Sequence, residues 1–233
     1  MDDFVFPLML ALDVQSLTMS LVNIASPRGQ EGALADSIEA ALRGLTHLDV
    51  HRTGDTVVAR TNDGHGERVV VVGNLSVDRT ESAHEPLAYV EMGKLYGPGT
   101  SDAKGALATM LKAAAHGSFA CDVTFAFVAG QPDEDVLAHA REAGSVLLAA
   151  PTNSAVCGSV LEEPLTRRLI ALTDRPAVST DLEALRSLDE RGVAFGPGDP
   201  SLAGTAGEFV ATADLGQCEV ALRRWLTGVG PVS

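Results

Sequence analysis

The chain has 233 residues, 45% of them hydrophobic, enough for one domain over 1–233 with a sizeable core. Its formal net charge is −14, from 31 acidic against 17 basic residues. That balance excludes the basic footprint that nucleic acid or an anionic membrane surface requires, and it reads as a solubility device. No apolar run is long enough to span a bilayer, and the stretch from Met1 to Leu10 starts acidic and is broken by Pro7, unlike a signal peptide. Cys121, Cys157 and Cys218 are odd in number and far apart, which predicts reduced thiols and a cytoplasmic protein.

In chain order, Val14, Leu17, Leu21, Val22 and Ile24 recur at helical spacing, so 13–25 predicts a helix with Asp13 as its N-cap. Pro27 and Gly29 end it. A second helix is expected over 30–42, with Leu34, Ile38 and Leu42 facing inward. Residues 48–52 and 56–60 read as strands around a Gly54-Asp55 turn. The run Val69 to Val72 marks a strand buried on both faces of a sheet. His47, His51 and His65 fall at strand ends or turns and read as solvated.

Residues 78–94 read as an acidic polar loop holding His84. A helix follows over 106–115, then an apolar strand over 122–129. Gly130 to Asp135 is a turn, and Asp133-Glu134-Asp135 suits the first turn of a helix over 136–143. Strands are expected at 145–149 and 193–195, and helices around Leu182, Leu185 and Leu188 and over 213–226. Alternating strands and helices predict a three-layer α/β/α sandwich with a mostly parallel central sheet. Ligands of such sheets bind at the carboxyl ends of the strands. Asn74, Asp102, Gln131 and Ala150 all lie at or soon after predicted strand ends.

The stretch 95–105, Leu-Tyr-Gly-Pro-Gly-Thr-Ser-Asp-Ala-Lys-Gly, sits between the valine strand and a helix. Two glycines and a proline predict a tight turn that delivers Asp102 to the helix start. A carboxylate there can cap the helix or bind a metal as an oxygen ligand.

Gly73-Asn74-Leu75-Ser76-Val77 and Lys94 to Lys104 together resemble the core of the zinc-dependent desuccinylase and aminoacylase peptidases, closest to the succinyl-diaminopimelate desuccinylases. Those enzymes read Gly-His-Leu-Asp-Thr-Val and Leu-Tyr-Gly-x-Gly-Thr-Ser-Asp-Met-Lys at the two places. Ser26 to Asp36, Ala150-Pro151-Thr152-Asn153, Thr180-Asp181 and Gly196 to Ala203 resemble further family segments in the family's order. The resemblance implies a zinc-peptidase-like catalytic domain. It also implies two zinc ions and a Glu that activates the bridging water.

Against that pattern the family's His is Asn74, its orienting Asp is Ser76, and its Glu-Glu pair is Gln131-Pro132. The Glu before Pro-Thr is Ala150, and the C-terminal His is Gly204. Only the bridging carboxylate, Asp102, remains. The span from about 154 to 178 is too short for the inserted lid and dimerisation domain. The expectation is therefore no metal and no cofactor. The first reading is a pseudoenzyme that binds a small polar ligand, such as an amino acid or acyl-amino acid. Asn74, Asp102, Gln131, Asn153 and Asp199 are its ligand-binding candidates. It would also bind a protein partner, or itself, through the surface left by the lid. A second reading is a repurposed metal-free enzyme with Asp102, Lys104 or Asp181 as acid or base. A third is a weak metallohydrolase of N-acyl amino acids in which Asp133, Glu134 or Asp135 slips into the vacated Glu positions.

Overall fold

The computed structural model describes residues 8–77, 87–180, 188 and 192–230. Its frame is a sheet of eight strands among the described residues, in the order β1-β2-β6-β3-β7-β10-β8-β9. These are β1 (Asp49–Thr53), β2 (Thr56–Arg60), β3 (Arg68–Asn74), β6 (Asp122–Val128), β7 (Ser145–Ala149), β8 (Cys157–Gly158), β9 (Val178–Ser179) and β10 (Val193–Phe195). β6, β3, β7 and β10 are mutually parallel, while β1, β2 and β8 join antiparallel.

β3 lies inside this sheet because its side chains are apolar on both faces. Val69 and Val71 join the larger core cluster, and Val70 and Val72 the smaller one. Alternation of side chains along a strand sends the two pairs to opposite faces. On the first face pack α1 (Val14–Val22), α2 (Gly32–Arg43), α3 (Gly105–Ala114) and α6 (Thr212–Thr227). On the second packs α4 (Glu134–Glu142), through Val136 and Ala140, with Leu188 beside it. These are the three layers expected of the sequence. A further short helix, α5 (Pro164–Ile170), lies against α6.

α3 is built from strong helix formers and is buried along nearly its whole length, between the sheet, α1 and α6. Its one basic residue, Lys112, stays half-buried by donating from Nζ to the carbonyls of Leu10 (2.9 Å) and Leu12 (2.7 Å). Asp13 caps α1 as expected, accepting from Ser16 N at 2.9 Å. Asp133 caps α4 in the same way, accepting from Val136 N at 3.0 Å.

Three sequence expectations are corrected. Part of the stretch read as a polar loop is a hairpin, β4 (Tyr89–Glu91) and β5 (Lys94–Tyr96). It forms a second sheet with β11 (Phe209–Ala211), in the order β11-β5-β4. Cross-strand aromatic pairing holds it. Tyr89 stacks on Tyr96 at 5.0 Å between centroids, Tyr96 meets Phe209 at 5.5 Å, and Lys94 Nζ lies 4.1 Å from the Phe209 ring centre. His47 is not solvated: its Nε2 lies 2.9 Å from the Ala114 carbonyl and its ring lies near Phe119. Asp102 does not cap α3, which begins without a side-chain cap at Lys104. Residues 78–86, including His84, and the expected helix around 182–187, with Asp181, lie outside the described residues.

Among the described residues no helix is long and apolar enough to cross a membrane. All three cysteines are buried and free. Burial pushes the Cys121 thiol up to about 11 and the Cys218 thiol up to about 12, so neither supplies a thiolate near neutral pH.

Phe127 is fully buried in β6 beneath the first helical layer. Phe127→Ala is expected to cost about 3–5 kcal/mol of stability, since it opens a cavity where the sheet meets the helices. Chemical denaturation measures it, and a loss below about 1 kcal/mol would show that this face of the sheet is not tightly packed.

Candidate functional site

The parallel strands end together, and the polar residues that follow them form the candidate site. Asn74 closes β3, Gln131 follows β6, Ala150 to Ser154 follow β7, and Gly196 to Asp199 follow β10. The turn from Gly97 to Lys104 closes over this edge and leads into α3.

That turn is held by Glu208, a residue the sequence reading passed over. Its side chain is buried, at 3% exposure, just before β11. One carboxylate oxygen accepts from Gly99 N at 2.9 Å. The other accepts from Ser101 N at 2.9 Å and Asp102 N at 3.0 Å. Its own carbonyl accepts from Gly97 N at 3.2 Å. A buried carboxylate is costly unless its oxygens are satisfied, and convergent backbone N–H groups satisfy this one. The same bonds explain why Asp102 is no cap. Its backbone is extended, at φ −134° and ψ 105°, with its N–H turned to Glu208, so its Cα stands outside the helix. The peptide that follows it, Asp102–Ala103, is cis.

Beyond Glu208 the loops interlock. Ser101 Oγ donates to the Asp199 carbonyl at 2.8 Å. Gly198, at φ +92°, passes so close that a Cβ there would stand 2.5 Å from Ser101 Oγ, so only glycine fits. Asn153 N donates to Gly198 O at 2.8 Å, and Ser154 N to Gly196 O at 3.0 Å. Thr152 Oγ1 donates to Ala155 O at 2.6 Å and accepts from Gly196 N at 3.1 Å. Hydrogen bonds from the Ser201 hydroxyl, the Ser201 N–H and the Asn153 side chain hold the Asp199 carboxyl below its ordinary value. The structure thus brings Asp102, Asn153 and Asp199, three sequence candidates, into one connected group.

The other candidates have different roles. Lys104 is 2% exposed and its Nζ donates to Ile24 O at 2.5 Å, which ties the turn to the end of α1. The Asn74 side-chain oxygen accepts from Ser76 N at 3.0 Å. Ser76 Oγ in turn donates to the buried Glu31 at 2.5 Å, which also accepts from Gly29 N at 2.9 Å. Burial pushes the Glu31 carboxyl up, but these bonds and the charge of Arg28 outweigh it and hold it below its ordinary value. Gln131 is exposed. The three acids after it are engaged as the first turn of α4: Asp133 as its cap, Glu134 paired with Arg141 (2.5 Å) and Asp135 facing His139 (4.0 Å).

Next to this group lies a cavity of about 440 Å³. It shares Ser154 with the site loop and Phe195 with β10, and its lining also includes Leu172, Arg175 and Cys218.

Glu208→Gln keeps the shape but turns an amide NH2 group toward backbone donors. It is expected to lower stability by about 1–3 kcal/mol, the cost of leaving buried donors unsatisfied. Amide exchange over 97–105 should accelerate in parallel. Unchanged exchange there would mean that the carboxylate does not hold the turn.

No family profile matches the chain. Over 97 residues it is 44% identical to the succinyl-diaminopimelate desuccinylase of Corynebacterium glutamicum, a match covering 41% of this chain and 26% of that enzyme. The matched part thus spans about a quarter of the relative's length. Among solved structures it is similar to an aminopeptidase from the archaeon Desulfurococcus kamchatkensis, with a TM-score of 0.66, 11% identity and coverage of 94% and 95% of the two chains. It is also similar to an M20 family metallo-carboxypeptidase from Sulfolobus solfataricus, with a TM-score of 0.51, 15% identity, and coverage of 63% of this chain and 38% of that one. The chain is thus desuccinylase-like in sequence over part of its length, and its α/β fold is similar to that of an M20 family metallo-carboxypeptidase and an archaeal aminopeptidase.

Proposed function

We propose that this chain is a desuccinylase-like pseudoenzyme that binds a small polar ligand, an amino acid or an acyl-amino acid, and does not hydrolyse it. The observation that carries this reading is the donor set at the strand ends. The positions that the family resemblance assigns to metal ligands and base hold Asn74, Gln131, Pro132, Ala150 and Gly204. Asn74 is neutral and its oxygen is engaged by Ser76 N–H, while Ala150 and Gly204 offer no side-chain ligand. A zinc ion takes three or four protein donors, and one carboxylate, Asp102, does not supply them for a pair. The carboxylates of Asp133 and Glu134 are engaged in α4, away from the role of a base.

A ligand ammonium group would take the place of the metal charge beside Asp102, with Asn153 and Asp199 as further polar contacts. The cavity beside Ser154, with apolar Leu172 and Phe195 in its wall, suits an acyl chain. With no lid between about 154 and 178, this reading also gives the exposed Val178 on β9 to a partner protein or a second copy.

Two measurements test the proposal. Incubated with Zn²⁺ or Co²⁺, the protein is expected to release no succinate or acetate from N-acyl amino acids above the buffer rate. Metal-dependent turnover would overturn the reading. Calorimetric titration with amino acids and N-acyl amino acids should find a ligand whose affinity falls roughly tenfold or more in Asp102→Asn, the worth of one charge-assisted contact. A ligand bound equally well by the variant would remove Asp102 from the site.

A further inference from the structure

At the opposite edge of the sheet, where β3 and β6 begin, Asp63, His65 and Asp122 converge. Their ligating atoms all lie within 4.8 Å of one another. Asp63 and His65 come from the connection between β2 and β3, and Asp122 opens β6. Because β3 is extended over seven residues, this cluster and Asn74 are separated by about 20 Å along the strand.

The local backbone is arranged to hold the cluster. Thr61 N donates to Val123 O at 3.0 Å, and Val123 N to Thr61 Oγ1 at 2.9 Å. Asp122 N donates to Glu67 O at 2.9 Å, and Asp63 N to Asp122 Oδ1 at 2.9 Å. The loop is thus fastened to β6 on both sides of the cluster. Gly64, between Asp63 and His65, takes φ +80°, a conformation glycine adopts without strain. The arginines on either side of the loop are engaged elsewhere, Arg60 with Asp49 (3.2 Å) and Arg68 with Glu142 (3.0 Å). Two carboxylates this close repel unless a cation lies between them.

We propose that Asp63, His65 and Asp122 form a divalent-cation site of the zinc class. One imidazole nitrogen and two carboxylate oxygens suit Zn²⁺, Co²⁺ or Ni²⁺. Three protein donors leave the remaining position to water. Asp63 is exposed and the other two are half-buried, so the ion exchanges with solvent and its role is to clamp the 61–67 loop onto β6. An ion bound here is independent of the ligand edge and restores no hydrolytic centre there.

The test is titration of metal-free protein with Co²⁺, followed by visible absorbance and calorimetry, with melting curves at each ratio. One equivalent is expected to bind and to raise Tm. His65→Gln should weaken binding by more than roughly tenfold, since even outer-shell partners of metal ligands are worth that much. It should also abolish the rise in Tm while circular dichroism stays unchanged. His51→Gln, an exposed histidine on β1, should bind Co²⁺ as the parent does. The proposal is overturned if no Co²⁺ binds at up to millimolar concentration, or if His65→Gln binds it as tightly as the parent. It is equally overturned if binding survives His65→Gln and disappears in Asp102→Asn, which would place the ion at the other edge.

Discussion

The buried carboxylate of Glu208 is the contact on which the rest of the candidate site depends. It accepts from three backbone N–H groups within four residues of one turn, 99–102. Turn residues of this kind have no helix or sheet ladder to satisfy them, so without an acceptor their donors would be buried and unpaired. The bonds reach across more than a hundred positions and join β11 to the start of α3. Everything downstream follows from that anchorage. Ser101 is placed to bond Asp199, Lys104 to bond Ile24, and Asp102 is left outside the helix at the end of the sheet.

From that anchor the site is assembled mostly from main chain. Gly196 and Gly198 carry carbonyls that bind the 152–154 segment, and Thr152 bonds back to Gly196. Side chains such as Ser76, Ser101 and Thr152 serve as connectors between loops. A site held in this way keeps its geometry when individual ligating side chains change, because the main-chain bonds do not depend on them.

The two edges of the parallel sheet differ in chemistry. At the carboxyl edge, the carboxylates of Glu208 and Asp199 are engaged with backbone N–H groups of the loops beside Asp102. At the amino edge, Asp63, His65 and Asp122 present their ligating atoms to one another. Long crossovers between parallel strands bring residues distant in sequence together at both edges, which is a general property of parallel sheets.

Local pattern was enough for much of the fold. The valine run of β3, the apolar stretch of β6, the periodic face of α6 and the cap at Asp13 are each set by neighbours within a few residues, and all appear as expected. The glycine-rich turn around Asp102 also leads into a helix as expected. Three features were decided only by tertiary structure. β4, β5 and β11 are three-residue strands whose pairing is long-range and aromatic, too short to show a period. His47 is oriented by α3 and Phe119, which a strand-end position does not reveal. Glu208 carries no local signal in the sequence, because its role comes from donors more than a hundred residues away. The sequence by itself determined the longer strands and helices, because those choices rest on local periodicity. The partners of its charged and polar groups were decided by the fold, because those bonds join segments that only the folded chain brings together.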